Sequence, residues 1–178
     1  MIETSASPFD AALLARASRL LDACKAKGLM VATAESCTGG LLAGLLTEIA
    51  GSSAVVERGF VTYSNEAKNE LIGVPMSLIE RHGAVSAEVA RAMAEGALTH
   101  SRAQLAVAIT GVAGPGGGTA TKPVGLVHFA CALTGGETVT VEKLFGDIGR
   151  TAVRKAAVRS EEHTSELQSH SFISYAVF

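Results

Sequence analysis

The chain has 178 residues, 48% hydrophobic and 18% charged, which suits one domain with a substantial core and leaves little room for a second. A formal net charge of −2 offers no basic face to nucleic acid. The three cysteines, Cys24, Cys37 and Cys131, are too scattered for a disulfide framework or a structural zinc site, and they fit a reducing compartment.

Asp10, Arg16, Arg19 and Asp22 interrupt any amino-terminal apolar stretch, so no signal peptide is expected. The longest uncharged run, residues 103–121, is rich in glycine and carries Pro115, which argues against a membrane span. The expectation is a cytoplasmic protein.

Residues 8–27 place Leu13, Leu14, Ala17, Leu20, Leu21 and Cys24 at helical spacing, and Gly28 stops that helix. Residues 29–33, LMVAT, read as a short buried strand. Residues 38–50 read as a helix with Gly51 past its end. A second strand is expected over 55–63. Ser64 can cap a helix over 65–72, closed by Gly73 and Pro75. A shorter helix or turn follows at 77–82, then a long helix from Ser86 to about Ser101.

Residues 105–110, LAVAIT, form a strand of buried type, followed by a glycine-rich loop over 111–122. Strands over 124–133 and 137–145 flank Gly135-Gly136, a hairpin signal. A last helix starts near Gly149. The order α-β-α-β-α-α-β-β-β-α predicts an α/β fold, a three-layer α/β/α sandwich whose mixed sheet is mostly parallel with an antiparallel hairpin.

Residues 159–170, RSEEHTSELQSH, look like the forward translation of a common sequencing-library adapter. The domain is therefore expected to span 8–158, with 159–178 foreign to it. His163 and His170 carry no functional weight on that reading.

Three motifs carry chemistry. AESCTGG, residues 34–40, puts Ser36, Cys37 and Thr38 at a helix start before Gly39 and Gly40. Such N–H groups bind anions, and Cys37 is a possible nucleophile there; the alternative is an ordinary capped turn with a buried thiol. TGVAGPGGGTATK, residues 110–122, follows a strand, and its Gly111 and Gly114 suit an anion nest. It is neither a Walker A loop nor a dinucleotide fingerprint, and the plain alternative is a flexible surface loop.

GSSAVVERGFVTYSNEAK, residues 51–68, gathers Ser53, Tyr63 and Lys68 around one strand–helix unit. Acyl transfer wants such a trio, because a serine hydroxyl needs a base and a lysine near a helix start can have its pKa lowered. On spacing alone, a surface lysine, a core tyrosine and a polar turn are the better account of it. Arg150, at a helix start after GDIG, can bind phosphate or carboxylate. No metal-ligand spacing appears among the histidines, and no metal or cofactor is expected.

Together AESCTGG, GSSAVVERGFVTYSNEAK, LIGV, HGAVS, TGVAGPGGG, KPVG and FGD with Arg150 resemble the CinA C-terminal domain family, in the family's order and over essentially the whole credible chain. The resemblance is to its stand-alone form. It implies nicotinamide-nucleotide amidase activity, which converts nicotinamide mononucleotide to nicotinate mononucleotide and ammonia in pyridine-nucleotide salvage. It also implies Ser53 as nucleophile with Tyr63 and Lys68 assisting. Ser36, Thr38, Gly39, Thr110, Gly111, Gly114 and Arg150 would bind substrate, in a homo-oligomer that takes neither nucleic acid nor membrane. Gly116 stands where the family commonly has Asp, and GDIGR is two residues longer than the common form. A non-catalytic nucleotide-binding regulatory module is the alternative function.

Overall fold

The structure, a computed structural model, describes residues 7–159; of the tail 159–178 that was expected to be foreign, Arg159 is described, as the last residue of a helix, and the rest lies outside the described residues. Helix α1, Ala11–Ala26, is capped by the Asp10 carboxylate, which accepts from the Leu13 N–H. Strand β1 is Val31–Glu35, α2 is Leu41–Thr47, and a short 3-10 turn at Ser52–Ala54 leads into β2, Val56–Val61. Helices α3, Asn65–Ile72, α4, Met76–His82, and α5, Ala87–Thr99, precede β3, Leu105–Gly111. Strands β4, Leu126–Leu133, and β5, Val139–Leu144, form the hairpin, and α6 is Arg150–Arg159.

The sheet order is β2-β1-β3-β4-β5, with β1 parallel to both β2 and β3 and the last two pairings antiparallel. The expected α/β architecture with a mixed sheet is therefore present. Strand alternation gives its two faces different textures. Ala32, Ala106 and Ala132 lie in register across three strands, as do Ala34, Ala108 and Ala130. All six are buried beneath α5, with α3 and α4 completing that layer.

An alanine floor lets a helix approach closely, and α5 answers with small residues of its own. These are Ala90, Ala94 and Ala97, while Gly96 admits α3 instead, since a Cβ there would collide with the Ile72 carbonyl oxygen. The other face carries the bulk: Val31, Leu105 and Cys131 pack under α1 and α2, and Ile109, Val127 and Phe129 under α6.

Several boundaries differ from expectation: β2, β4 and β5 are shorter than 55–63, 124–133 and 137–145, α2 ends at Thr47, short of 50, and two starts shift. Strand β1 lies two residues later than 29–33, because buried Ala34 and Glu35 belong to it. Helix α2 starts at Leu41 and not at Thr38, because Gly40 adopts a left-handed conformation that only the following residues continue as helix. No helix among the described residues is long and apolar enough to cross a membrane.

Candidate active site

In an open α/β sheet the crevice forms beyond the carboxyl ends of the parallel strands. Here Ser36 follows β1, Tyr63 and Lys68 follow β2, and Thr110 to Gly114 close β3. They line one cavity of about 260 Å³, joined by Cys37, Asn65, Ala84, Val85 and Arg150.

Lys68 is the most unusual residue in it. It occupies the second turn of α3, whose N-cap Ser64 accepts from the Ala67 N–H, yet the side chain is only 1% exposed. Its Nζ lies 2.9 Å from the Thr62 carbonyl oxygen, 3.4 Å from that of Ser64, and 3.1 Å from Ser36 Oγ. Burial lowers its pKa from the ordinary 10.5, against the opposing pull of Cys37 and Glu66. As a cation the side chain donates its three N–H bonds to the Thr62 and Ser64 carbonyls and to Ser36 Oγ; loss of a proton would turn a lone pair towards the Ser36 hydroxyl.

Glu35 holds Ser36 in place and was not singled out from sequence. Its fully buried carboxylate accepts N–H bonds from Gly40 at 3.1 Å, Leu42 at 3.0 Å and Ala43 at 2.8 Å, and a hydroxyl bond from Thr33 at 3.4 Å. It thereby occupies the start of α2 as an intramolecular anion. This corrects the expectation that the AESCTGG turn presents free amides to a ligand. Thr38 and Gly39 do not line the cavity; the Thr38 carbonyl accepts from Arg154 Nη2 at 3.0 Å. A charged residue inside an otherwise apolar strand, just before two glycines, was the available signal.

Arg150 opens α6 at the cavity mouth. Its Nη2 donates to the Tyr63 hydroxyl at 2.7 Å and its Nη1 to the Gly114 carbonyl at 3.0 Å. Because Tyr63 accepts there, its own O–H remains available to donate. Thr110 Oγ1 donates to the Ala84 carbonyl at 2.8 Å and so ties β3 to the loop before α5. Cys37 is buried, and burial pushes its thiol up to about 11, so it is protonated at neutral pH.

Ser53 is not in this cavity. It sits exposed on the turn before β2, whereas Lys68 follows the other end of that strand. The five residue steps from Val56 to Val61 span roughly 17 Å. Sequence proximity therefore suggested a cluster that the strand's length prevents within one chain. Among the described residues no group of three or more His, Cys, Asp or Glu is placed to hold a metal ion.

Comparison with known proteins places this arrangement. The model of the CinA C-terminal domain matches residues 14–162. The chain belongs to that family. It is 53% identical over 149 residues to the nicotinamide-nucleotide amidohydrolase PncC of Escherichia coli strain K12, which covers 83% of this chain and 89% of that protein. A CinA-like protein of Mycolicibacterium vanbaalenii is 66% identical over 113 residues, and the match spans 64% of this chain but only 27% of that longer relative. Among solved structures, the competence/damage inducible protein CihA from Agrobacterium tumefaciens superposes with a TM-score of 0.87 at 54% identity, covering 92% of this chain and 99% of that one. The solved relative thus shares the α/β fold described above.

Proposed function

We propose that this CinA-family chain is an amidohydrolase that cleaves the carboxamide of nicotinamide mononucleotide, releasing ammonia and nicotinate mononucleotide. The similarity to PncC supports the reaction class. The observation that carries the mechanism is the buried Lys68 Nζ, hydrogen-bonded to Ser36 Oγ at 3.1 Å.

Ser36 Oγ attacks the carboxamide carbon while its proton passes to the neutral Lys68 amine. The C–N bond then breaks. The proton on Lys68 reaches the departing nitrogen, with the Tyr63 hydroxyl assisting, and ammonia leaves. Water adds to the acyl-serine ester, gives up a proton to Lys68, and frees the carboxylate and Ser36. No redox partner is needed for this balance.

The geometry favours Ser36 over Ser53 as the nucleophile, because only Ser36 meets a base. Arg150 and the glycine-rich loop from Gly111 to Gly117 form the polar wall suited to the substrate's anionic phosphate. Lys68 must be neutral to act, so its lowered pKa supports activity at lower pH than an ordinary lysine would allow. The three free, buried thiols suit a reducing, cytoplasmic setting, and the homo-oligomer implied by the family belongs to this reading.

The test is to incubate purified protein with nicotinamide mononucleotide and measure ammonia and nicotinate mononucleotide together. Equal amounts of both are expected. Saturable binding without turnover would replace this reading with a nucleotide-binding regulatory module.

A further inference from the structure

Two motifs, HGAVS and KPVG, have no part in the chemistry above, yet the fold joins them. Lys122 Nζ donates to the His82 carbonyl at the carboxyl end of α4. A helix end is where a cation is best placed, since the unpaired carbonyls there carry partial negative charge. The backbone is shaped to admit it. Gly83 has φ +74 and ψ 154, a conformation reserved for glycine, and a Cβ there would stand 2.5 Å from Lys122 Nζ.

Both anchor points adjoin stretches that line the cavity. Ala84 and Val85 follow Gly83, Gly111 to Gly117 lead towards Lys122, and the two stretches touch where Thr110 Oγ1 donates to the Ala84 carbonyl. Between its ends the glycine-rich loop has little support. Gly116 and Gly117 face the cavity on one side and an open hollow of about 600 Å³ on the other. A Cβ built on Gly116 meets nothing within 4 Å. The loop is tied near its start by Arg150 at the Gly114 carbonyl. Near its end, the Thr119 N–H donates to the Lys122 carbonyl and the Lys122 N–H to Thr119 Oγ1, closing a tight turn that carries the lysine.

We infer that Lys122 is a positioning residue, a clasp that holds the glycine-rich loop against the HGAVS loop and so fixes the width of the substrate cavity. Lys122 touches no reacting atom. Its effect is on the fraction of molecules whose cavity is ready for substrate, and an apparent affinity falls in proportion to that fraction. If opening the clasp leaves about a tenth of the molecules competent, KM rises about tenfold while saturating substrate restores kcat.

The inference rests on the amidohydrolase reading for its kinetic consequence but not for its structural one, so the experiment measures both. Lys122→Met, with Lys122→Ala as a second variant, is compared with wild type by steady-state kinetics on nicotinamide mononucleotide and by amide hydrogen exchange. The expected result is a KM raised about tenfold with kcat within about twofold, and faster exchange in segments 82–86 and 111–122 with α5 unchanged. Lys122→Arg, which can still donate to the carbonyl, should recover most of the loss. Unchanged exchange in both segments, or unchanged KM despite faster exchange, overturns the clasp. If wild type itself shows no turnover, the amidohydrolase reading fails and the exchange data alone decide the clasp.

Discussion

Replacing Glu35 by Gln keeps the side chain's shape and removes its charge. In the native turn Oε2 accepts from the Gly40 and Leu42 amides, and Oε1 from the Ala43 amide and the Thr33 hydroxyl. A glutamine has one acceptor oxygen. The cheaper orientation keeps the Gly40 and Leu42 bonds and turns the NH2 towards the Ala43 N–H, donor against donor. Thr33 can rotate its hydroxyl to accept.

One charge-assisted bond, worth about 1.5–3 kcal/mol, is then lost, the remaining two weaken to neutral strength, and the interaction with the start of α2 disappears. The total is about 2–4 kcal/mol. For a domain of this size each kcal/mol moves Tm by about 2–4 °C, so a fall of about 5–15 °C is expected in a thermal melt followed by circular dichroism. Because the same turn carries Ser36, kcat should drop as well. A Tm within about 2 °C of wild type would show that the buried carboxylate does not hold the turn as described.

Activity should rise with pH along a single acid limb, because Lys68 acts as a base only when deprotonated; burial places that limb below the ordinary lysine value of 10.5. A kcat/KM profile shows it, and Lys68→Met should abolish the limb together with most of the rate. The sign for stability is the same. Below the folded-state pKa the buried amine must carry its charge, so this group adds stability as pH rises from its lowered pKa towards 10.5. Cys37→Ala should retain kcat within a few-fold, since a thiol raised to about 11 is not a nucleophile at pH 7; a loss of about a hundredfold would reopen a cysteine mechanism. Ala106→Leu should cost at least about 1–3 kcal/mol in urea unfolding, because the side chain would push α5 off its alanine floor.

Much of the fold was legible because the local signals agreed with the global ones. Helix α3 matches residues 65–72, with Ser64 and Gly73 as its ends, and α5 begins after Ser86, whose hydroxyl accepts from the Val89 N–H. The buried strand at Leu105 runs one residue beyond its expected end. The misplaced starts of β1 and α2 trace to the buried Glu35 and to the left-handed Gly40 that it binds. Glu35 is polar, and pattern reading sends polar residues outward, but its carboxylate is buried to serve amides five to eight residues further on.

The site divides in the same way. Tyr63, Lys68, Ser36, Thr110, Gly111, Gly114 and Arg150 do meet around one cavity. Ser53 does not, because a strand separates it from Lys68, and strand direction is a constraint that spacing along the chain conceals. The Arg150–Tyr63 contact joins residues 87 positions apart, which only the folded sheet brings together.

The choice between the two serines tests the account most directly. Ser36→Ala and Ser53→Ala should be assayed side by side for ammonia release from nicotinamide mononucleotide, with thermal melts to show that both fold. The account predicts that Ser36→Ala loses at least about a thousandfold in kcat while Ser53→Ala stays within a few-fold of wild type. Wild-type-like turnover by Ser36→Ala, or a collapse confined to Ser53→Ala, would contradict it.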